Sequence, residues 1–121
     1  MSEIPVVSPL GHSRKYVLAK PYPLYDTPIF QWYSAIPAGF VYDGASIPSF
    51  TGFTWAVTYS PFRPEVMRAA LVHDFLCNQR PTHFSSAQAA DLFFDMLIAD
   101  GAKPWKARLM RRGVNFAGPK W

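Results

Sequence analysis

Five polar residues of this 121-residue chain carry side chains that could do chemistry together: Asp43, Ser46, His73, Asp74 and Asp91. Imidazoles and carboxylates are common ligands of a divalent metal such as zinc. A hydroxyl beside an imidazole and a carboxylate is also the arrangement of a nucleophilic hydrolase. These residues are therefore the candidate site, and the elements that carry them decide whether they meet.

His73 lies in a segment with the pattern of a helix. Pro64 suits a first helical turn and Pro81 ends the run, which predicts a helix from Pro64 to about Gln79. The face that holds His73 is otherwise apolar, so we expect the imidazole to point inward. A buried imidazole needs a partner, because an unpaired polar group costs about 1–3 kcal/mol. A core histidine bonded to a backbone carbonyl and a site histidine both satisfy this pattern.

Asp91 lies in a second predicted helix. Ser85 with Gln88 forms a capping box, and the helix runs to Asp100, where Gly101 follows. Two apolar stripes suggest a helix that is buried nearly all round, so we expect a buried Asp91 that needs a cation, a histidine or a metal. The short connection predicts neighbouring antiparallel helices in which His73 or Asp74 meets Asp91. A structural ion pair with Arg68 or Arg80 is the alternative.

Asp43 and Ser46 belong to a turn that follows a predicted strand. Gly44 allows a sharp turn, and both polar side chains can bond to nearby backbone groups. That local role is enough to explain them. Alternatively, the turn faces the two helices and closes a site with His73 and Asp74.

Three mechanisms could use these residues. In the first, His73, Asp74 and Asp91 bind a divalent metal, with Asp43 as a further ligand, and a bound water attacks an ester or amide. In the second, Ser46 is the nucleophile, His73 the base and Asp91 the orienting acid. A third, with Cys77 as nucleophile beside His73, is disfavoured because both lie on one helix face, which leaves little room for substrate.

The N-terminal half has the pattern of a small sheet. Prolines at 21, 23, 28, 37 and 48 exclude a long helix. Short β-type runs occupy Lys15–Ala19, Ile29–Tyr33 and Phe40–Tyr42, and Pro37–Gly39 predicts a hairpin turn.

A third helix begins at Pro104 and is predicted to end at Gly113. The predicted fold is α+β: a small antiparallel β-sheet packed against three C-terminal helices, in one domain spanning residues 1–121. Residues 1–14 are expected to form an extended arm, and residues 114–121 an irregular tail.

Composition excludes several classes of protein. Half of the residues are apolar and only 17% are charged, which excludes a disordered chain. The single cysteine, Cys77, excludes an intramolecular disulfide framework and zinc sites built from several cysteines. The start of the sequence has no signal-peptide pattern, and no apolar window is long enough to span a membrane.

Charge and aromatic content point to partners. The net charge is +4, and residues 103–121 hold six Lys and Arg without an acid. Such an end suits phosphates, acidic lipid headgroups or an acidic protein surface, although a solvated helix face also explains it. A chain of this size cannot bury its four Trp, six Tyr and ten Phe, so some are expected at a partner interface.

Three motifs in order resemble a known family. Residues 36–48, 69–76 and 90–93 are similar to the pattern PxGFxTDxASIP, then HDxL, then ADxxF, of small domains of unknown function encoded by tailed bacteriophages and prophages. This chain departs at Tyr42, where threonine is usual, at Ser49, where a basic residue is frequent, and at Cys77, where an aromatic is usual. The resemblance implies a phage setting and brings no established activity.

We therefore predict a bacteriophage virion protein, tail- or baseplate-associated, that acts through protein–protein contacts. The alternative is a small metal-dependent hydrolase with a His-Asp-Asp site and a divalent metal such as zinc. Expected partners are other virion proteins. Neither nucleic acid nor a membrane span is expected, and a homo-oligomer is compatible with the sequence. The expected location is the virion, assembled in the host cytoplasm.

Overall fold

The computed structural model describes residues 5–9, 16–42 and 64–121. The chain divides into two compact units, Met1–Asp43 and Gly44–Trp121. Residues 43–63, which include the predicted turn with Asp43 and Ser46, lie outside the described residues. The expectation of a single domain stays a prediction.

The described part of the N-terminal unit contains short antiparallel strands. They are β1 (Val7–Pro9), β2 (Tyr16–Leu18), β3 (Tyr22–Pro23), β4 (Ala35–Ile36) and β5 (Val41–Tyr42). One sheet has the order β1-β2-β5, and β3 pairs with β4 in a second. The frequent prolines keep each strand short, because proline removes a ladder hydrogen bond.

Strand register places large apolar side chains in the core of this unit. Leu18 pairs with Val7, and Tyr22 pairs with Ile36. The predicted strands over residues 15–19 and 40–42 are confirmed as β2 and β5. Within the predicted N-terminal arm, β1 instead forms an edge strand of the sheet. Among the described residues of the unit, the buried apolar side chains include Leu18, Tyr22, Leu24, Ile29, Ile36 and Tyr42.

The strand predicted over Ile29–Tyr33 is wrong, because Pro28–Gln31 is a 3₁₀ helix. Pro28 sets the backbone angle of a helical first turn. The amides of Trp32 and Tyr33 both donate to the carbonyl of Ile29, each at 2.9 Å. Local bonds therefore replace the cross-strand bonds that the β-type composition suggested.

The predicted turn at Pro37–Gly39 forms, but it does not make a hairpin. The Phe40 amide donates to the Pro37 carbonyl at 3.3 Å, and Gly39 has a φ of +88°, which favours glycine. The strands on either side pair with different partners, β4 with β3 and β5 with β2. The turn thus passes the chain from one sheet to the other.

The C-terminal unit contains three helices in its described part: α1 (Pro64–Gln79), α2 (Ser86–Ala99) and α3 (Pro104–Ala117). Helix α2 packs against both α1 and α3. Its predicted capping box is confirmed: the Gln88 amide donates to Ser85 Oγ at 3.1 Å, and the Ser85 amide donates to Gln88 Oε1 at 2.8 Å. Gly101, with a φ of +98°, follows the end of α2.

Helix α3 is longer than predicted. It continues past Gly113 to Ala117, and Gly113 and Val114 are buried within it. Glycine weakens a helix by about 1 kcal/mol, and burial of the following valine offsets that cost. The irregular tail is correspondingly shorter. It docks through Trp121, whose indole Nε1 donates to the Phe84 carbonyl at 2.7 Å.

The predicted α+β class is confirmed, with antiparallel strands in the N-terminal half and three helices after them. Among the described residues, no helix has the length and apolar content needed to cross a bilayer. Helix α1 is buried on most of its surface, since nine of its residues are buried. That helix carries His73, and its packing defines the surroundings of the candidate site.

Candidate functional site

The inward orientation predicted for His73 is confirmed. The residue is 7% exposed. Its imidazole packs against the Phe93 ring of α2, with a centroid distance of 5.3 Å and a tilt of 56°. The C-terminal end of α3 also lies close, because a Cβ placed on Gly118 would be 4.0 Å from His73 Cε1. In the described part of the unit, α2 and the end of α3 therefore both approach this imidazole of α1.

The polar neighbour of His73 in the described structure is the thiol one helical turn later. Cys77 Sγ lies 3.6 Å from Nδ1 and 3.9 Å from Nε2. A neutral imidazole nitrogen can accept a hydrogen bond from the thiol. Within the part of the chain that the structure describes, the partner of His73 is therefore a side chain of the same helix and not the expected backbone carbonyl.

Burial sets the charge of His73. Desolvation lowers the pKa of the imidazole from 6.5 to about 4, because the charged form loses its hydration. His73 is therefore neutral at pH 7. A thiolate–imidazolium pair with Cys77 would need the opposite shift, so the contact is a neutral one, and Cys77 gains no activation from it.

The expectation that Asp91 is buried is wrong. Its side chain is 61% exposed, and Asp91 Oδ1 lies 3.4 Å from Arg111 Nε on α3. The second apolar stripe of α2 lies at its solvent edge, where Ile98 is also exposed. Helices α1 and α3 cover two sides of α2, and two neighbouring helices cannot cover a third all round. The structure therefore does not bring His73 and Asp91 together.

Arg68 and Asp100 form the ion pair that the sequence did not predict. Arg68 Nε and Nη2 donate to the two carboxylate oxygens of Asp100 at 3.0 and 3.1 Å, and both residues lie largely out of solvent. This bidentate pair ties α1 to the end of α2. The predicted alternative, an ion pair between Arg68 and Asp91, is therefore wrong. The sequence contains a signal for this pair: Asp100 follows the C-terminus of α2, where the helix dipole is negative, so the carboxylate needs a nearby cation.

The described residues contain no group of three or more His, Cys, Asp or Glu side chains that could hold a metal ion. His73 is buried, Asp74 is half-buried and Asp91 points to solvent, so these three candidate ligands do not form a cluster. The roles predicted for Asp43 and Ser46 fall on residues outside the described structure and stay predictions.

Comparison with known proteins gives a family but no activity. Over 92% of its length, the chain is 29% identical to the uncharacterized protein y4jT of Sinorhizobium fredii (strain NBRC 101917 / NGR234). Over 65% of its length, it is 32% identical to the uncharacterized protein y4iH of the same strain. The chain spans about a third of the length of these curated relatives, 34% and 31%. No solved structure matches it.

One family matches most of the chain and covers all three motifs of the sequence. Its description is "Protein of unknown function (DUF1353)", and the match extends over residues 16–114. That range includes the strands β2 to β5, the buried His73 and nearly all of α3. The chain therefore belongs to the DUF1353 family of proteins of unknown function.

Proposed function

We propose that this protein is a bacteriophage virion component, associated with the tail or baseplate, that acts by binding neighbouring proteins. The observation that carries the binding role is a loop of the N-terminal unit, residues 24–32, which displays large aromatic side chains to solvent. Tyr25, Phe30 and Trp32 are 61%, 48% and 40% exposed within this short segment. We call it the aromatic loop.

Buried side chains and a local hydrogen bond hold the aromatic loop in place. Leu24 and Ile29 are fully buried, and the side chain of Thr27 donates to the Leu24 carbonyl at 2.9 Å. A loop that is already ordered loses little conformational entropy when a partner binds, so more of the contact energy appears as affinity. Aromatic side chains on such a support are typical of the central residues of protein interfaces.

A further observation supports the phage setting. The three motifs in residues 36–48, 69–76 and 90–93 resemble those of domains encoded by tailed phages.

The metal-dependent hydrolase has no specific observation in its favour. Of its ligands, Asp91 pairs with Arg111 at the solvent edge of α2, away from the buried His73. It is therefore not proposed as a second function.

Particle composition tests the proposal. Particles of a phage or induced prophage that encodes this chain would be purified, and the chain quantified by mass spectrometry against labelled reference peptides. We expect a fixed copy number per particle that matches the rotational symmetry of a tail. Absence of the chain from intact particles would contradict the proposal.

The aromatic loop can be tested in the same particles. We expect a variant with Tyr25→Ser and Phe30→Ser to keep its thermal midpoint, because both side chains are exposed, and to lose roughly tenfold or more in incorporation. A control with Lys20→Ser and Ala38→Ser changes two exposed positions of the same unit and should incorporate normally. Equal incorporation of both variants would exclude the aromatic loop as the contact surface.

A further inference from the structure

The outward side of α3 combines arginines with exposed aromatic rings. Trp105 and Phe116 are 48% and 72% exposed, and Arg108 and Arg112 are exposed between them. Steps of three and four residues along a helix place all four on one side. At 1.5 Å per residue the two rings stand roughly 16 Å apart along the axis. We call these four residues the α3 outer face.

The α3 outer face lies in the most basic part of the chain. Residues 103–121 contain six Lys and Arg and neither Asp nor Glu. Arg111 is not part of the face, because it turns toward α2, where it pairs with Asp91 at 3.4 Å and lies 5.8 Å from the centre of the Phe94 ring. The charge offered outward is therefore carried by Arg108 and Arg112, and a complementary surface must be acidic.

The residue types on this face favour a protein partner. Arginine and aromatic residues are enriched at the centre of protein interfaces, whereas lysine is depleted there. Here the cations between the rings are arginines, and Lys106 lies beside them, with its Nζ 5.5 Å from the centre of the Trp105 ring. Single-stranded nucleic acid stacks successive bases on neighbouring rings, but these two rings are at opposite ends of the face with cations between them.

We propose that the α3 outer face binds an acidic amphipathic segment of a partner protein. Apolar side chains of that segment cover Trp105 and Phe116, and its carboxylates pair with Arg108 and Arg112, whose guanidinium groups can bind them in bidentate fashion. The α3 outer face would thus be a second contact surface, separate from the aromatic loop. This inference rests on the proposed function only in that the partner is a protein.

Peptide selection with the purified full chain tests this inference without any particle. A display library of randomised helical peptides would be selected against the chain, and the enriched sequences synthesised. We expect enrichment of peptides that carry Asp or Glu beside apolar residues at helical spacing. Binding of a synthesised peptide would then be measured by fluorescence anisotropy, with a scrambled peptide of the same composition and a single-stranded oligothymidylate as comparisons.

Matched variants locate the site. Arg108→Ser with Arg112→Ser should weaken binding of the selected peptide by roughly tenfold or more, and Trp105→Ser should do the same. Lys20→Ser with Arg80→Ser removes the same amount of charge at exposed positions outside α3 and should change binding less than roughly twofold. Because all these positions are exposed, the variants are expected to melt as the natural chain does.

Three results would overturn the inference: enriched peptides without acidic residues, equal binding by the Arg108/Arg112 variant and its control, or tighter binding of the oligothymidylate than of any selected peptide. None of these results would bear on whether the chain is incorporated into particles. Absence of the chain from particles would in turn say nothing about peptide binding, so the two proposals can fail separately.

Discussion

The buried imidazole of His73 makes the stability of the protein depend on pH. Its pKa is lowered from 6.5 to about 4 by burial, so the folded chain stays neutral at this residue while the unfolded chain becomes protonated. Between these two values the unfolded state binds more protons, and the free energy of unfolding falls as the pH is lowered. Above pH 6.5 both states are neutral here, and the effect vanishes.

We expect this residue alone to remove about 3 kcal/mol of stability between pH 6.5 and pH 4, at about 1.4 kcal/mol per unit of pKa difference. Urea unfolding at a series of pH values, for the natural chain and for His73→Leu, measures the difference. The variant should lose less stability than the natural chain as the pH falls through this window. Parallel pH profiles for the two proteins would show that His73 is not the group responsible.

Two ion pairs described in the C-terminal unit, Arg68–Asp100 and Arg111–Asp91, should contribute very different amounts to the free energy of unfolding. Arg68→Met leaves the carboxylate of Asp100 without its bidentate partner in a largely buried place, which is expected to cost roughly 2–4 kcal/mol. Asp91→Asn removes an exposed pair and should cost less than about 1 kcal/mol. Chemical denaturation gives both values, and a larger loss for Asp91→Asn would contradict this ranking.

Individual residues were predicted with uneven success. The inward position of His73 follows from its place on an apolar helix face, and it is confirmed. The burial of Asp91 was inferred from the same kind of pattern and is wrong. Periodicity tells which residues share a face, but it does not tell how many neighbours a helix has to cover its faces.

Among the elements, the end of α3 depends on a close backbone approach. A Cβ on Gly118 would lie 2.6 Å from the Val114 carbonyl oxygen, which belongs to the backbone and cannot rotate away. We expect Gly118→Ala to displace the tail that carries Trp121, and to destabilise the protein by roughly 1–3 kcal/mol.

Thermal unfolding and the NMR shift of the His73 Cε1 proton would measure this effect, since that atom lies near Gly118. Arg108→Ala, at an exposed position near the start of the same helix, is the control and should leave both readings nearly unchanged. An unaltered melting temperature and histidine shift in Gly118→Ala would show that the tail tolerates the extra methyl group.

Elements with strong local signals were predicted to within a residue or two. Prolines at both limits of α1 and the capping box of α2 act within a few residues, so the sequence alone indicates those helices. The 3₁₀ helix at Pro28–Gln31 and the extension of α3 past Gly113 were missed. At Pro28–Gln31 the proline and local hydrogen bonds outweigh the β-type composition. At the end of α3, burial of Val114 offsets the weakening effect of Gly113.

At the scale of the whole molecule, the described chain presents two surfaces of different chemistry, one in each compact unit. The aromatic loop is apolar and is anchored by the buried Leu24 and Ile29, whereas the α3 outer face is basic with aromatic rings at its ends. The aromatic surplus in the composition predicted that some rings would remain outside the core. It could not indicate which rings, because exposure depends on packing between segments far apart in the chain.

Several features follow from residues that are close together in the chain: the α+β class, the helix starts, the burial of His73 and the basic character of the C-terminal segment. The pairing of polar groups, in contrast, depends on how distant segments pack. Arg68 reaches Asp100, Asp91 reaches Arg111, and His73 has the thiol of Cys77 as its neighbour. These contacts depend on how the helices are rotated about their axes, and that rotation is set by the side chains packed between them.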